Sequence, residues 1–128
     1  MQEKHLFEYS VIRIMPQVER EEFLNVGVIV YCAKRNFLET VFEINPGRLQ
    51  AFCNKLDLAE VQENLAALER ICRGAEGSGP IGKLDRAARF RWLTATRSTV
   101  VQTSRVHPGF CIDPHETLLR LYDQLVLL

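Results

Sequence analysis

The 128 residues hold 16 Lys and Arg against 16 Asp and Glu, with 47% hydrophobic and 25% charged side chains. Such a balance excludes a disordered polyelectrolyte, a histone-like basic protein and a low-complexity chain. The length suits a single domain over 1–128, able to bury a core without a disulfide or metal staple. The opening MQEKHLFEYS has no apolar run of signal type, and the longest apolar stretch, Val26–Ala33, is eight residues. A membrane-spanning helix needs about 20. A cytoplasmic location with no membrane association is the expectation. Cys32, Cys53, Cys72 and Cys111 form no CxxC pair and read as reduced small hydrophobes.

Residues 8–15 alternate as a first strand, with Tyr9, Val11, Arg13 and Met15 opposite Ser10, Ile12 and Ile14. Pro16 stops it, and Glu19, Glu21 and Glu22 mark a solvated connection. Phe23–Ala33 is apolar on both faces, the pattern of a central strand, with Gly27 marking a bulge or close helix packing. Lys34-Arg35-Asn36 turns the chain into a third strand, Phe37–Ile44, completing a hairpin. Asn45-Pro46-Gly47 opens helical territory. Arg48–Leu56 reads as a short helix, and Asp57 caps a longer one running to Arg73 with Leu58, Val61, Leu65, Leu68 and Cys72 at helical spacing. Gly74 ends it, and 74–82 is a loop. Lys83–Leu93 reads as a helix with Leu84, Ala87, Ala88 and Phe90 inward. Ser98–Val106 is a β-branched fourth strand, and His107-Pro108-Gly109 a turn. Asp113-Pro114 opens a final helix with Leu118, Leu121, Leu125 and Leu128 along its stripe. The order βββ-ααα-β-α segregates strands from helices. The fold class is therefore α+β, a mostly antiparallel sheet of about four strands with helices packed on it.

Tyr9-Ser10-Val11-Ile12-Arg13, Glu22-Phe23-Leu24-Asn25-Val26-Gly27-Val28, Phe90-Arg91-Trp92-Leu93-Thr94, Arg97-Ser98-Thr99 and His107-Pro108-Gly109 together resemble the bacterial domain-of-unknown-function 3037 family in order and spacing. The family commonly has a proline where Thr96 stands. The resemblance implies a small bacterial protein with no assigned activity, cofactor or catalytic residue. It also implies company with kinases resembling the HipA toxin type, and hence a kinase partner.

Zero net charge conceals a segregated distribution. Residues 1–82 sum to −3, residues 83–112 to +5 and residues 113–128 to −2, and twelve of the sixteen basic residues are arginine. Guanidinium suits bidentate contacts to phosphate or carboxylate. An anion or nucleic-acid site within 83–105 would use Arg89, Arg91, Arg97 and Arg105, with the hydroxyls of Thr94, Thr96, Ser98 and Thr99. Against it, the 94–99 loop follows a helix C-terminus, whose dipole disfavours an anion. The arginines would then pair with Glu19, Glu21 or Glu22 instead. Phe90 and Trp92 offer stacking faces for bases, or split between core and surface.

His107, Cys111 and His115 recur every four residues, but Pro108-Gly109 and Pro114 forbid the continuous helix that would align them as zinc ligands or a thiol–imidazole pair. No metal and no cofactor is expected. Glu19, Glu21 and Glu22 are paired carboxylates, but on a connection they read as solvated. No nucleophile-elbow, phosphate-loop, dinucleotide or zinc-protease motif is present. A hydrolase or nuclease using Glu21, Glu22 or His107 is the weakest reading. The last helix carries more apolar residues than one stripe needs: Leu119, Tyr122, Val126 and Leu127 widen it toward a partner interface or a homodimer. A non-enzymatic protein-interaction or accessory module is the leading expectation. Phosphate-ligand or nucleic-acid binding through 83–105 is the alternative.

Overall fold

A strand that is apolar on both faces has to be covered on both faces, and the second strand sets the architecture accordingly. The structure is a computed structural model describing residues 3–97 and 99–127. β1 (His5–Ile14), β2 (Leu24–Cys32) and β3 (Phe37–Phe42) form an antiparallel meander. Four helices follow: α1 (Pro46–Phe52), α2 (Leu58–Arg73), the single turn α3 (Gly79–Gly82) and α4 (Arg86–Leu93). β4 (Val101–Thr103) and β5 (His107–Cys111) then pair with β1, and α5 (Pro114–Leu125) closes the chain. The fold is α+β, an open five-stranded antiparallel sheet ordered β3-β2-β1-β4 with β5 also on β1.

The period-two alternation of β2 divides its side chains between two cores. Ile12, Ile14 and Ile29 pack with Val61, Leu65, Phe90 and Leu93 of α2 and α4. Phe7, Val28 and Val30 pack on the other side with Leu118, Leu121 and Val126. Each fully buried aliphatic or aromatic side chain contributes about 1.5–3 kcal/mol. Asn45, Asp57, Asp85 and Asp113 cap α1, α2, α4 and α5, each accepting a backbone N–H through its side chain. Each such cap is worth about 1 kcal/mol. Gly74 closes α2 in the left-handed conformation, φ 65°.

At Gly27 the expected irregularity is a bulge. Ile12 opposes Gly27 while Arg13 opposes Asn25, leaving Val26 as the extra residue. A Cβ at Gly27 would stand 2.6 Å from Val41 O, so only glycine lets β2 and β3 approach there. No helix among the described residues is long and apolar enough to cross a membrane.

The expected single strand over Ser98–Val106 with a turn at 107–109 is corrected. Strand structure begins at Val101 and runs to Cys111 with one interruption, so that His107-Pro108-Gly109 lies within β5. Between Thr103, opposite Ile12, and His107, opposite Tyr9, stand three residues against two on β1. Ser104 bridges the mismatch. Its N–H donates to Val11 O at 2.8 Å, its Oγ accepts the Val11 N–H at 2.8 Å, and Ser10 Oγ donates to Ser104 O at 2.6 Å. Pro108 is tolerated because β5 is an edge strand. Gly109 is required there because the Phe7 ring lies across it, 2.7 Å from where a Cβ would be.

The expected Arg48–Leu56 helix is displaced to Pro46–Phe52, and a helical turn forms within the 74–82 loop. Leu84 is 45% exposed rather than in the core, because Asp85 starts α4 one residue beyond it. Leu128 and Ser98 lie outside the described residues.

Candidate functional site

The six cations of 83–112 do not converge. Arg91 turns toward β1 and grips Glu8 bidentately, both N–O distances 2.9 Å, which raises its already high pKa. Arg97 folds back on its own helix, donating from Nη1 to Leu93 O at 3.3 Å and from Nη2 to Trp92 O. Its guanidinium lies 4.0 Å from the centre of the Trp92 ring. It thereby acts as a cationic cap on the negative end of α4. The hydroxyls of the same loop donate to nearby backbone carbonyls, Thr94 to Phe90 O at 2.8 Å and Thr99 to Val101 O at 2.7 Å. Thr96 is exposed, and Ser98 falls outside the described residues. Arg105 is exposed between β4 and β5, on the edge of the sheet opposite β3. Among the described residues, none of Glu19, Glu21 and Glu22 reaches these arginines, and Glu22 pairs with Arg20. That pairing keeps the Glu22 carboxyl below its ordinary value, the wrong direction for a proton donor at neutral pH.

Arg89 behaves differently. It is only 9% exposed and its Nε is buried with no hydrogen-bond partner. No carboxylate among the described residues pairs with it. Its guanidinium lies against Gly74, so that a Cβ there would fall on Nη1. The diffuse negative end of α2 favours a cation at this position, yet supplies Nε no acceptor. Leaving such a donor buried and unpaired costs about 1–3 kcal/mol.

Arg89 opens into a cleft of about 430 Å³, walled on one side by Asn36 and residues 37–40 of β3 and on the other by Glu69, Cys72, Arg73, Arg86 and Arg89. Arg73 is taken by Glu69, 2.6 Å away, and Glu39 has His115 at 3.7 Å. Arg86, one helical turn before Arg89, is exposed and has no carboxylate partner among the described residues. The cleft therefore presents two uncompensated guanidiniums beside an edge strand. Burial pushes the Cys72 thiol up to about 12, against the opposing pull of Arg89. It is therefore a packed thiol and no nucleophile at neutral pH.

A family model described as "Protein of unknown function (DUF3037)" matches residues 9–126. The chain belongs to the DUF3037 family. No curated protein and no solved structure matches it. The match to the DUF3037 family covers nearly the whole chain.

The expected apolar interface on α5 is only partly at the surface. Val126 is 3% exposed and belongs to the core, because the helix is clamped at its end by Asn25 Nδ2, which donates to Leu125 O at 3.1 Å. Tyr122 is half-buried and donates to Glu43 at 3.3 Å. Leu119 and Leu127 are exposed. His107, Cys111 and His115 separate. His107 stacks near Tyr9, Cys111 is buried and His115 faces Phe37. No group of three metal-ligating side chains occurs among the described residues.

Arg73, Arg86, Glu39 and Thr40 were not singled out by sequence reasoning. One signal was available: Arg86 and Arg89 stand three apart on one helix face, while Arg91 falls on another.

Proposed function

We propose that the chain is a non-enzymatic interaction module that holds an acidic element of a protein partner in the cleft between β3, α2 and α4. The observation that carries this reading is Arg89, a nine-tenths buried guanidinium with an unpaired Nε and no carboxylate beside it. An incoming carboxylate supplies the charge partner that Arg89 lacks, and Arg86 adds a second contact. A long polyanion is disfavoured, since Glu39 and Glu69 line the same cleft and Arg91, Arg97 and Arg105 point elsewhere. Protein carboxylates, spaced along a peptide, suit this geometry better than a continuous phosphate chain. The kinase of HipA type is the first partner to test, and the resemblance alone supports that choice.

The test is a nuclear magnetic resonance titration of the ¹⁵N-labelled full chain with a glutamate-rich peptide, inorganic phosphate and a short oligonucleotide, each at two ionic strengths. Saturable shifts of the Arg86 and Arg89 Nε–H signals with the peptide are expected. Shifts centred on Arg97 and Trp92 with the oligonucleotide, and none with the peptide, overturn the reading. Co-purification with the kinase, lost on Arg86→Glu, tests the choice of partner.

A further inference from the structure

The cleft runs along the free edge of the sheet. β3 is the terminal strand of the order β3-β2-β1-β4. Its residues 37–40 line the cleft from both sheet faces, since Leu38 opposes Tyr31 on the α2–α4 side while Glu39 is next to His115 on the α5 side. A cavity that meets side chains of both faces must pass over the strand's backbone edge. Ladder geometry identifies which backbone groups lie there. Glu43 N–H donates to Val26 O at 2.9 Å, so in an antiparallel pair the odd residues 37–43 bond inward to β2 and the even ones face away. Leu38 and Thr40 therefore turn their N–H and C=O groups into the cleft. Among the described residues no hydrogen bond reaches them from outside the sheet. A row of unpaired backbone groups is a template for another strand.

We infer that the partner's acidic element binds as an extended strand added to β3, its backbone pairing with Leu38 and Thr40 and its carboxylates reaching Arg86 and Arg89. This rests on the carboxylate-binding reading above and goes further by naming the bound conformation. Alternate residues of an extended segment share one face. A segment with acidic residues at alternate positions presents two carboxylates to two guanidiniums one helical turn apart. β-branched residues between them supply strand propensity. The two elements of recognition are separable: backbone pairing gives affinity without regard to sequence, and the arginines select acidic segments.

Hydrogen exchange of the full chain, with and without a short peptide of alternating valine and glutamate, tests this. At saturation the Leu38 and Thr40 amides are expected to exchange at least about tenfold more slowly, and the β5 amides to be unchanged. The same peptide N-methylated on alternate residues, so that it cannot pair, is expected to bind about tenfold more weakly or worse. Arg86→Gln, an exposed change that leaves the core intact, is expected to weaken binding about threefold to tenfold, and Arg89→Lys to weaken it similarly. Shifts at Arg86 and Arg89 with unchanged exchange at Leu38 and Thr40 overturn strand addition and leave carboxylate binding standing. No shift at either arginine overturns both.

Discussion

β3 and β5 are edge strands of one sheet and expose opposite chemistries. β5 carries apolar side chains at the surface, Phe110 at 70% exposure beside Leu6 and Ile112. Its pairing edge is poor: Pro108 offers no N–H, and the chain is out of register with β4 by one residue. β3 is regular over its six residues, and charged side chains flank it. Proline and a bulge are ways in which natural sheets blunt an edge against unwanted pairing. The apolar edge is the blunted one, and the regular edge is flanked by the guanidiniums of Arg86 and Arg89. On the reading proposed above, selectivity and resistance to aggregation occupy different sides of the same sheet.

The difference can be broken most forcefully at Phe7. Phe7→Ala removes a buried ring and uncovers Gly109, and is expected to cost about 3–5 kcal/mol in urea unfolding. Exchange protection should be lost first at β5 while β2–β3 pairing persists. Loss spread evenly over both edges would show that Phe7 does not specifically hold β5. Ser104→Ala strands the Val11 N–H without its acceptor and is expected to cost about 1–3 kcal/mol by the same measurement.

On the β3 side, Cys72 gives a pH signature. Its folded pKa is raised from 9.0 to about 12 by burial, so above pH 9 the unfolded chain releases a proton that the folded chain keeps. Its contribution to stability is full below pH 9 and falls by about 1.4 kcal/mol per pH unit up to the folded value. Chemical denaturation between pH 8 and 11 should show this slope diminished in Cys72→Ala. The smallest effect is expected at Arg91→Gln, which removes an exposed bidentate pair with Glu8. A loss below about 1 kcal/mol, shrinking with added salt, is the outcome to measure.

The meander and the long helices were legible because their signals are local. Alternation marked β1 to β3, and the caps Asn45, Asp57 and Asp113 and the stop at Gly74 lie where composition places them. β5 was not legible. Pro108 and Gly109 are turn residues by composition, and what makes them a strand is the Phe7 ring a hundred positions earlier in the chain. The same holds for the site. Charge segregation pointed to 83–105, and Arg89 lies within it, but five arginines of one chemistry differ only in their surroundings. Arg97 is spent on carbonyls of its own helix and Arg91 on Glu8. The unpaired Nε of Arg89 depends on Gly74 and β3, which no window around residue 89 contains.

The two sides of β1 have a kinetic consequence. Its β2 partner starts at Leu24, whereas β4 and β5 are supplied by positions 101–111. On the ribosome, at about 5–20 residues per second, β1 waits several seconds for its second neighbour. During that interval Ile12, Ile14 and Val11 belong to a three-stranded hairpin stack with one bare flank. Such distant pairing slows folding and leaves the half-finished sheet open to mispairing. The flank of β1 thus stays open until the strand ending at Cys111 is free to pair with it.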